Sequence, residues 1–214
     1  MLTLFYIPGA CSIVPHIALE EAGADYRRHL VDYAGGETRT PAYRAISPLG
    51  RVPALLTEQG PLTENPAILA YIAQRHPQAG LAPLDDPFAF ARVQMFNMFM
   101  ANNVHVAFRQ IAFPDSYADG DAAAAALKAK VPELSDRYFA MIEQGLADGR
   151  PYVHGDRFTL SDIYLFVYAN YLRLGDRGDP SLLPNVIAHR RRIRPRPAVQ
   201  RVLEIEGLAD AWDD

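Results

Sequence analysis

A chain of 214 residues, 50% hydrophobic and 21% charged, is long enough to bury a substantial core and lies far from the profile of a disordered chain. Its net charge of −4 argues against general attraction to nucleic acid, and no run approaches the ~20 apolar residues that a membrane-spanning helix needs. One cysteine rules out an internal disulfide and fits a reducing cytoplasm.

Residues 2–6 (LTLFY) read as a strand; the apolar start has neither a basic leader nor a small-residue cleavage site. Pro8-Gly9 signals a turn. Ile13, Ile17 and residues 19–22 then share helical spacing until Gly23 ends the run. Residues 26–31 (YRRHLV) alternate as a second strand, and 33–41 form a loop with room for a short helix. Residues 52–56 (VPALL) are a third strand, 57–60 a tight turn into a fourth, and Pro66 to His76 a helix. The order is β-α-β-α-β-β-α. The stretch 76–87 (HPQAGLAPLDDP) holds three prolines, one glycine and two aspartates without any period, a linker composition. The expected organisation is an α/β domain over 1–78, a linker over 79–87 and an all-α domain over 88–214. Helical patterns cover 88–112, 121–146, 160–174, 182–193 and 197–205. The basic run 189–195 (HRRRIRP) has helical spacing and reads as a solvated face.

One helix start is legible in detail. Thr159 is a good N-cap, Asp162 stands three residues on, where its carboxylate can reach back to the Thr159 amide, and Phe158 can staple onto Ile163. The following IYLFVYANYL is apolar nearly all round, as a buried helix is.

Three other stretches carry chemistry. In GACSIVP (9–15), Ser12 is a plausible N-cap, which leaves Cys11 just outside the helix and facing unpaired amides. An unperturbed thiol with a pKa of ~8.5 is about 3% ionised at pH 7, and lowering that pKa by two units takes ~2.7 kcal/mol. Helix amides and one cation can supply this, so Cys11 is either a small buried hydrophobe or a reactive thiol. In TENPAILAYI (63–72), Asn65 reads as N-cap, Pro66 as the first helical residue, and Glu64 lies just before. Open amides suit a carboxylate and Glu64 an ammonium, so the pair can hold an α-amino acid headgroup or serve capping alone. In GRVPALL (50–56), Pro53 cannot donate to a ladder, so the Val52 backbone is left to pair with an extended ligand. A cis bond before Pro53 occurs at the general frequency of about 5–6%.

Taken in order, these stretches resemble the thioredoxin-like domain of a glutathione transferase. FYIPGACS, SPLGRVPALL, LTENPAILAYI, FTLSDIYLF and RPAVQRVLEIEGL resemble counterparts in the bacterial beta class at similar spacing across essentially the whole chain. The resemblance implies the glutathione transferase fold: an α/β thioredoxin-like N-terminal domain plus an all-α C-terminal domain. It also implies a cytoplasmic homodimer with glutathione as co-substrate, a small hydrophobic electrophile as second substrate, and no metal. By the same resemblance, Cys11 is the signature thiol beside the glutathione sulfur and Ser12 a neighbouring donor. The Val52 backbone, beside Pro53, pairs with the cysteinyl unit. Glu64 holds the γ-glutamyl ammonium, and Asn65 with the amides behind it takes the carboxylate. Arg51 stands where the family commonly has glutamine, and a lysine common in the loop after the second strand is missing, with only Arg39 nearby.

His105 falls on a polar stripe with Asn102 and Arg109. In the resemblance it is the helical-domain histidine that approaches the glutathione thiol as hydrogen-bond partner or base. His16, His29, His76, His154 and His189 read as structural. Candidates for a nonpolar substrate pocket are Tyr6, Phe108, Phe113, Tyr164 and Tyr168, each also suited to the core. The position three after Cys11 is Val14, so a resolving thiol must come from glutathione, which favours monothiol exchange. Conjugation is thus expected, with thiol–disulfide exchange through Cys11; a disulfide reductase or a noncatalytic carrier of hydrophobic ligands are the alternatives. The Ser-Ser-Cys start of the zeta-type isomerases is absent.

Overall fold

The computed structural model describes residues 1–175 and 177–212. Strand β1 (Leu2–Tyr6) pairs parallel with β2 (Tyr26–Leu30) and antiparallel with β3 (Ala54–Thr57), which pairs antiparallel with β4 (Gly60–Thr63). The sheet order is therefore β2-β1-β3-β4. A parallel pair needs a crossover, and α1 (Ile13–Glu21) supplies it. The β3–β4 turn is closed by Thr57, whose hydroxyl donates to the Gly60 carbonyl at 2.8 Å and accepts the Gln59 amide at 3.0 Å.

Register sets Leu4 opposite Leu55 and Phe5 opposite Ala54, and alternation sends the two pairs to opposite faces. Phe5 and Ala54 form a core with Val31 and with Tyr43 of α2 (Pro41–Ile46). Leu4 and Leu55 are fully buried. Helices α1 and α3 (Asn65–Arg75) pack on each other, α1 against β1 and α3 against β4. The outer strand β2 exposes Arg27, Arg28 and His29, a charged edge that discourages pairing with another sheet.

By packing, the chain divides into two units, residues 95–194 forming one and residues 1–94 with the tail from Pro195 the other. Helix α9 (Pro197–Ile205) lies in the first unit against α1, where Arg196 pairs with Glu21 at 2.6 Å and Arg201 with Glu20 at 3.0 Å. The single helix expected over 88–112 is three pieces. These are α4 (Pro87–Phe99), a π-helical turn over Met100–Val104, and α5 (His105–Ala112).

The second unit continues with α6 (Asp121–Gly145), α7 (Leu160–Leu172) and α8 (Pro184–Ile193). All of α7 except Tyr171 is buried or nearly so, as expected of a run that is largely apolar from Ile163 onward. Asp162 reaches back to the Thr159 amide at 2.7 Å. It does more than cap: its other oxygen accepts the Val153 amide and the His189 ring, each at 2.8 Å. Among the described residues, no helix is long and apolar enough to cross a membrane.

Candidate active site

Cys11 lies where β1 hands over to α1, one residue before the N-cap position, and it is partly exposed. Its Sγ donates to the Val52 carbonyl at 3.3 Å, and its own carbonyl accepts from Asn65 Nδ2 at 3.1 Å. The start of α1, the turn before β3 and the start of α3 therefore meet at one residue. Ser12 occupies the N-cap position with helical dihedrals and makes no side-chain cap. Its fully buried hydroxyl instead accepts the Ile7 amide at 3.1 Å and donates to the Ile7 carbonyl at 3.2 Å. Expected as a cap and as a donor toward a thiolate, Ser12 here fastens the end of β1 to the start of α1.

The Val52–Pro53 peptide is cis. Just before it, the Arg51 carbonyl accepts two hydroxyls, Tyr43 at 3.1 Å and Ser47 at 2.8 Å, while the Arg51 amide donates back to Ser47 at 3.1 Å. Two buried side chains thus hold the backbone leading to Val52, and the Arg51 side chain points into solvent. Burial, with Glu37 and Cys11 adding, pushes the Tyr43 phenol up to about 12. It therefore stays a donor. Gly50 turns the chain with a φ of +62°, and a side chain there would stand 2.5 Å from the Thr38 carbonyl oxygen. Only glycine fits.

Helix α3 begins at Asn65, one residue earlier than expected, so the N-cap position belongs to Glu64 and Pro66 is the second helical residue. The Asn65 carboxamide reaches across to Cys11 because its backbone is already helical. Its Oδ1 is buried and has no hydrogen-bond partner among the described residues. Glu64 is exposed and has a φ of 68°, the one positive φ at a non-glycine position among the described residues. Such a conformation costs about 1–3 kcal/mol and recurs at binding sites. An acceptor without a partner beside an exposed, strained carboxylate suits a ligand that carries an ammonium group.

The remaining candidates are spread over both units. Tyr6 is buried in the first unit, its ring 5.3 Å from that of His16. In the second unit, Phe108 stacks on Tyr168 at 5.8 Å and Tyr164 lies 5.4 Å from Tyr168, with both tyrosines fully buried. These three form an aromatic core. Phe113 is 40% exposed beyond the end of α5, with Arg109 4.9 Å above its ring. His105 opens α5, partly buried, edge-on to Tyr168 at 5.6 Å. Of the stripe expected through Asn102, His105 and Arg109, the last two share α5 and Asn102 lies in the π turn. The π turn is wider than an α turn and shifts the register by about one residue, and Arg109 turns to the Tyr117 hydroxyl at 3.3 Å.

Tyr43 and Ser47 carry no motif and were not legible as site residues. Among the histidines read as structural, His16 is paired with Glu206 at 2.6 Å, His29 with Glu37 at 2.7 Å, and His154 lies 2.9 Å from the Ser161 hydroxyl.

Residues 1–74 match the family model of the glutathione S-transferase N-terminal domain, and residues 121–192 match that of the C-terminal domain. Glutathione S-transferase GstA of Escherichia coli O157:H7 is 32% identical, the match covering 97% of this chain and all of that one. A Sulfitobacter glutathione transferase homologue solved with bound glutathione superposes with a TM-score of 0.89 at 37% identity, covering 97% of this chain and 99% of that one. The bacterial beta class enzyme of Sphingomonas chungbukensis gives a TM-score of 0.81 at 36% identity over 96% and 99% of the two chains.

Proposed function

The chain belongs to the glutathione S-transferase family, and from that premise we propose that it joins the thiolate of glutathione to small hydrophobic electrophiles. It is an enzyme of the glutathione S-transferase type with glutathione as co-substrate. One observation carries the site reading: three segments distant in sequence converge on the partly exposed Cys11, through Val52 at 3.3 Å and Asn65 at 3.1 Å.

In the proposed mechanism the tripeptide lies along the Val52 backbone beside Pro53, as an added strand would. Glu64 receives its ammonium. The amides at the start of α3 take the adjacent carboxylate, while Asn65, whose Nδ2 is used on the Cys11 carbonyl, offers its unpartnered Oδ1 as an acceptor for the ammonium. Arg51 is the exposed cation of this edge. Cys11 stands at the glutathione sulfur, and the glutathione thiol gives up its proton before it reacts. The thiolate then attacks the electrophilic carbon, a carbon–sulfur bond forms, and the leaving group departs with the electrons of the bond it loses. Of the aromatic candidates in the second unit, exposed Phe113 is the one that can border the apolar substrate, whereas Phe108, Tyr164 and Tyr168 are taken up by the core. The enzyme acts in the cytoplasm as a homodimer.

The partial exposure of Cys11 favours a second reading beside the first. A Cys11 thiolate attacks the glutathionyl sulfur of a mixed disulfide, forms a Cys11–glutathione disulfide and expels the other thiolate; a glutathione thiolate then attacks the Cys11–glutathione disulfide, restores the Cys11 thiolate and leaves as glutathione disulfide. The test measures conjugation of 1-chloro-2,4-dinitrobenzene alongside reduction of a glutathione mixed disulfide, in the unaltered protein and in Cys11→Ala. Conjugation falls less than about tenfold in the variant while exchange is lost. Binding of hydrophobic ligands without any turnover of the aryl halide rejects the conjugating function, and exchange that survives in Cys11→Ala rejects the second reading.

A further inference from the structure

His16 and Glu206 form a buried pair that the conjugation chemistry does not use. Both side chains are fully buried, with His16 Nδ1 2.6 Å from one carboxylate oxygen of Glu206. The other oxygen accepts the backbone amide of Gly9 at 3.0 Å. Glu206 is the residue directly after α9, so the end of the helical part of the chain holds the turn that leads to Cys11. Leu208 closes the same turn from outside: a side-chain carbon on Gly9 would sit 3.6 Å from its methyl group. Gly9 takes a φ of +70°, which allows its amide to face the carboxylate.

A buried ionisable pair is costly unless each lone pair and proton is matched. Here one carboxylate serves two partners, one oxygen each, and the imidazole lies between the rings of Tyr6 at 5.3 Å and Tyr26 at 6.0 Å, its Nε2 buried with no hydrogen-bond partner among the described residues. The turn is fastened at successive points. Ile7 is held by Ser12, Gly9 by Glu206, the Ala10 amide by the Ile7 carbonyl at 3.1 Å, and the Cys11 thiol by Val52. Of these, the Gly9 bond is the one that ties the turn to a residue far along the chain, 197 positions away.

We infer that Glu206, oriented by His16, is a positioning residue for the thiol edge: its carboxylate fixes the Gly9 amide and through it the place of the Cys11 backbone and thiol. The inference rests on the reading that Cys11 stands at the sulfur of bound glutathione. Without the carboxylate the turn relaxes and the thiol loses its bond to the Val52 carbonyl, which favours the neutral thiol.

Cys11 is the only cysteine of the chain, so its alkylation by iodoacetamide reports this edge alone. In Glu206→Ala alkylation speeds up about tenfold, and KM for glutathione rises about tenfold while kcat changes less than about threefold. Glu206→Gln, which still offers Gly9 an acceptor, returns both to within about twofold of the unaltered protein. Alkylation of Glu206→Ala that is slower, or within about twofold of the unaltered protein, overturns the inference. Should that variant not fold, hydrogen exchange of the unaltered protein decides. A Gly9 amide protected like those of β1 supports the clamp, and one that exchanges like an exposed loop rejects it. If alkylation shifts as stated but the unaltered protein turns over no glutathione, the functional reading fails and the clamp stands.

Discussion

The Asn65 carboxamide holds the Cys11 carbonyl at 3.1 Å, so the first residue of α3 and the residue just ahead of α1 are tied across 54 positions of sequence. The bond leaves Glu64 at the N-cap position with a left-handed φ and an exposed carboxylate. This geometry sets function against stability at one residue.

Glu64→Gly relieves the strained backbone but removes the carboxylate. The variant is expected to be about 1 kcal/mol more stable in urea, the strain relief exceeding the entropy that glycine adds to the unfolded chain. Its KM for glutathione rises about tenfold or more. Glu64→Gln keeps the strain and loses only the charge, so it raises KM without the gain in stability. Equal stability of Glu64→Gly and the unaltered protein refutes the strain.

Tyr43 gives the fold an alkaline limit. Its phenol is raised from 10.0 to about 12 in the folded chain, chiefly by burial. Between those values the unfolded chain has released the proton and the folded chain keeps it. The stabilisation is complete below pH ~10 and is lost as pH rises toward ~12. Urea midpoints of the unaltered protein should fall over this window more steeply than those of Tyr43→Phe. Tyr26, also raised by burial, contributes equally to both proteins and cancels in the difference. Parallel midpoint curves would refute the assignment.

Asp162 is the polar centre of the second unit, fully buried and shared by Thr159, Val153 and His189. Asp162→Ala strands these donors and is expected to cost about 3–5 kcal/mol of stability. Asp162→Asn keeps some acceptor capacity and costs less. Thermal unfolding of both variants checks the order, which no cap on an exposed helix would produce, since such a cap contributes only about 1 kcal/mol.

Much of the architecture was legible because it rests on local signals. Alternation in 2–6 and 26–31, the turn at 57–60 and the return of Asp162 to Thr159 all depend on residues within a few positions of one another, and each matches the observed element closely. The π turn at Met100–Val104 left no such mark. Its sequence MANNV has no proline or glycine, so nothing in the pattern separates it from the flanking helix.

The candidate site divides in the same way. Cys11, Val52, Pro53, Glu64 and Asn65 were singled out because helix starts and a proline-led strand are chemical features of short stretches, and Cys11, Val52 and Asn65 are linked by hydrogen bonds. Tyr43 and Ser47 were missed because their hydroxyls meet the Arg51 carbonyl only after α2 has docked beside β3.

The sequence by itself determined the order of strands and helices, the presence of a thiol at a helix start and the likeness to a family, since these follow from side-chain period, turn chemistry and residue type. Tertiary structure alone decided that the Ser12 hydroxyl faces Ile7, that the Asn65 carboxamide serves Cys11, and that Glu206 returns from far along the chain to hold Gly9. A hydrogen bond is selected by what lies within about 3 Å after packing, and sequence distance has no part in that choice.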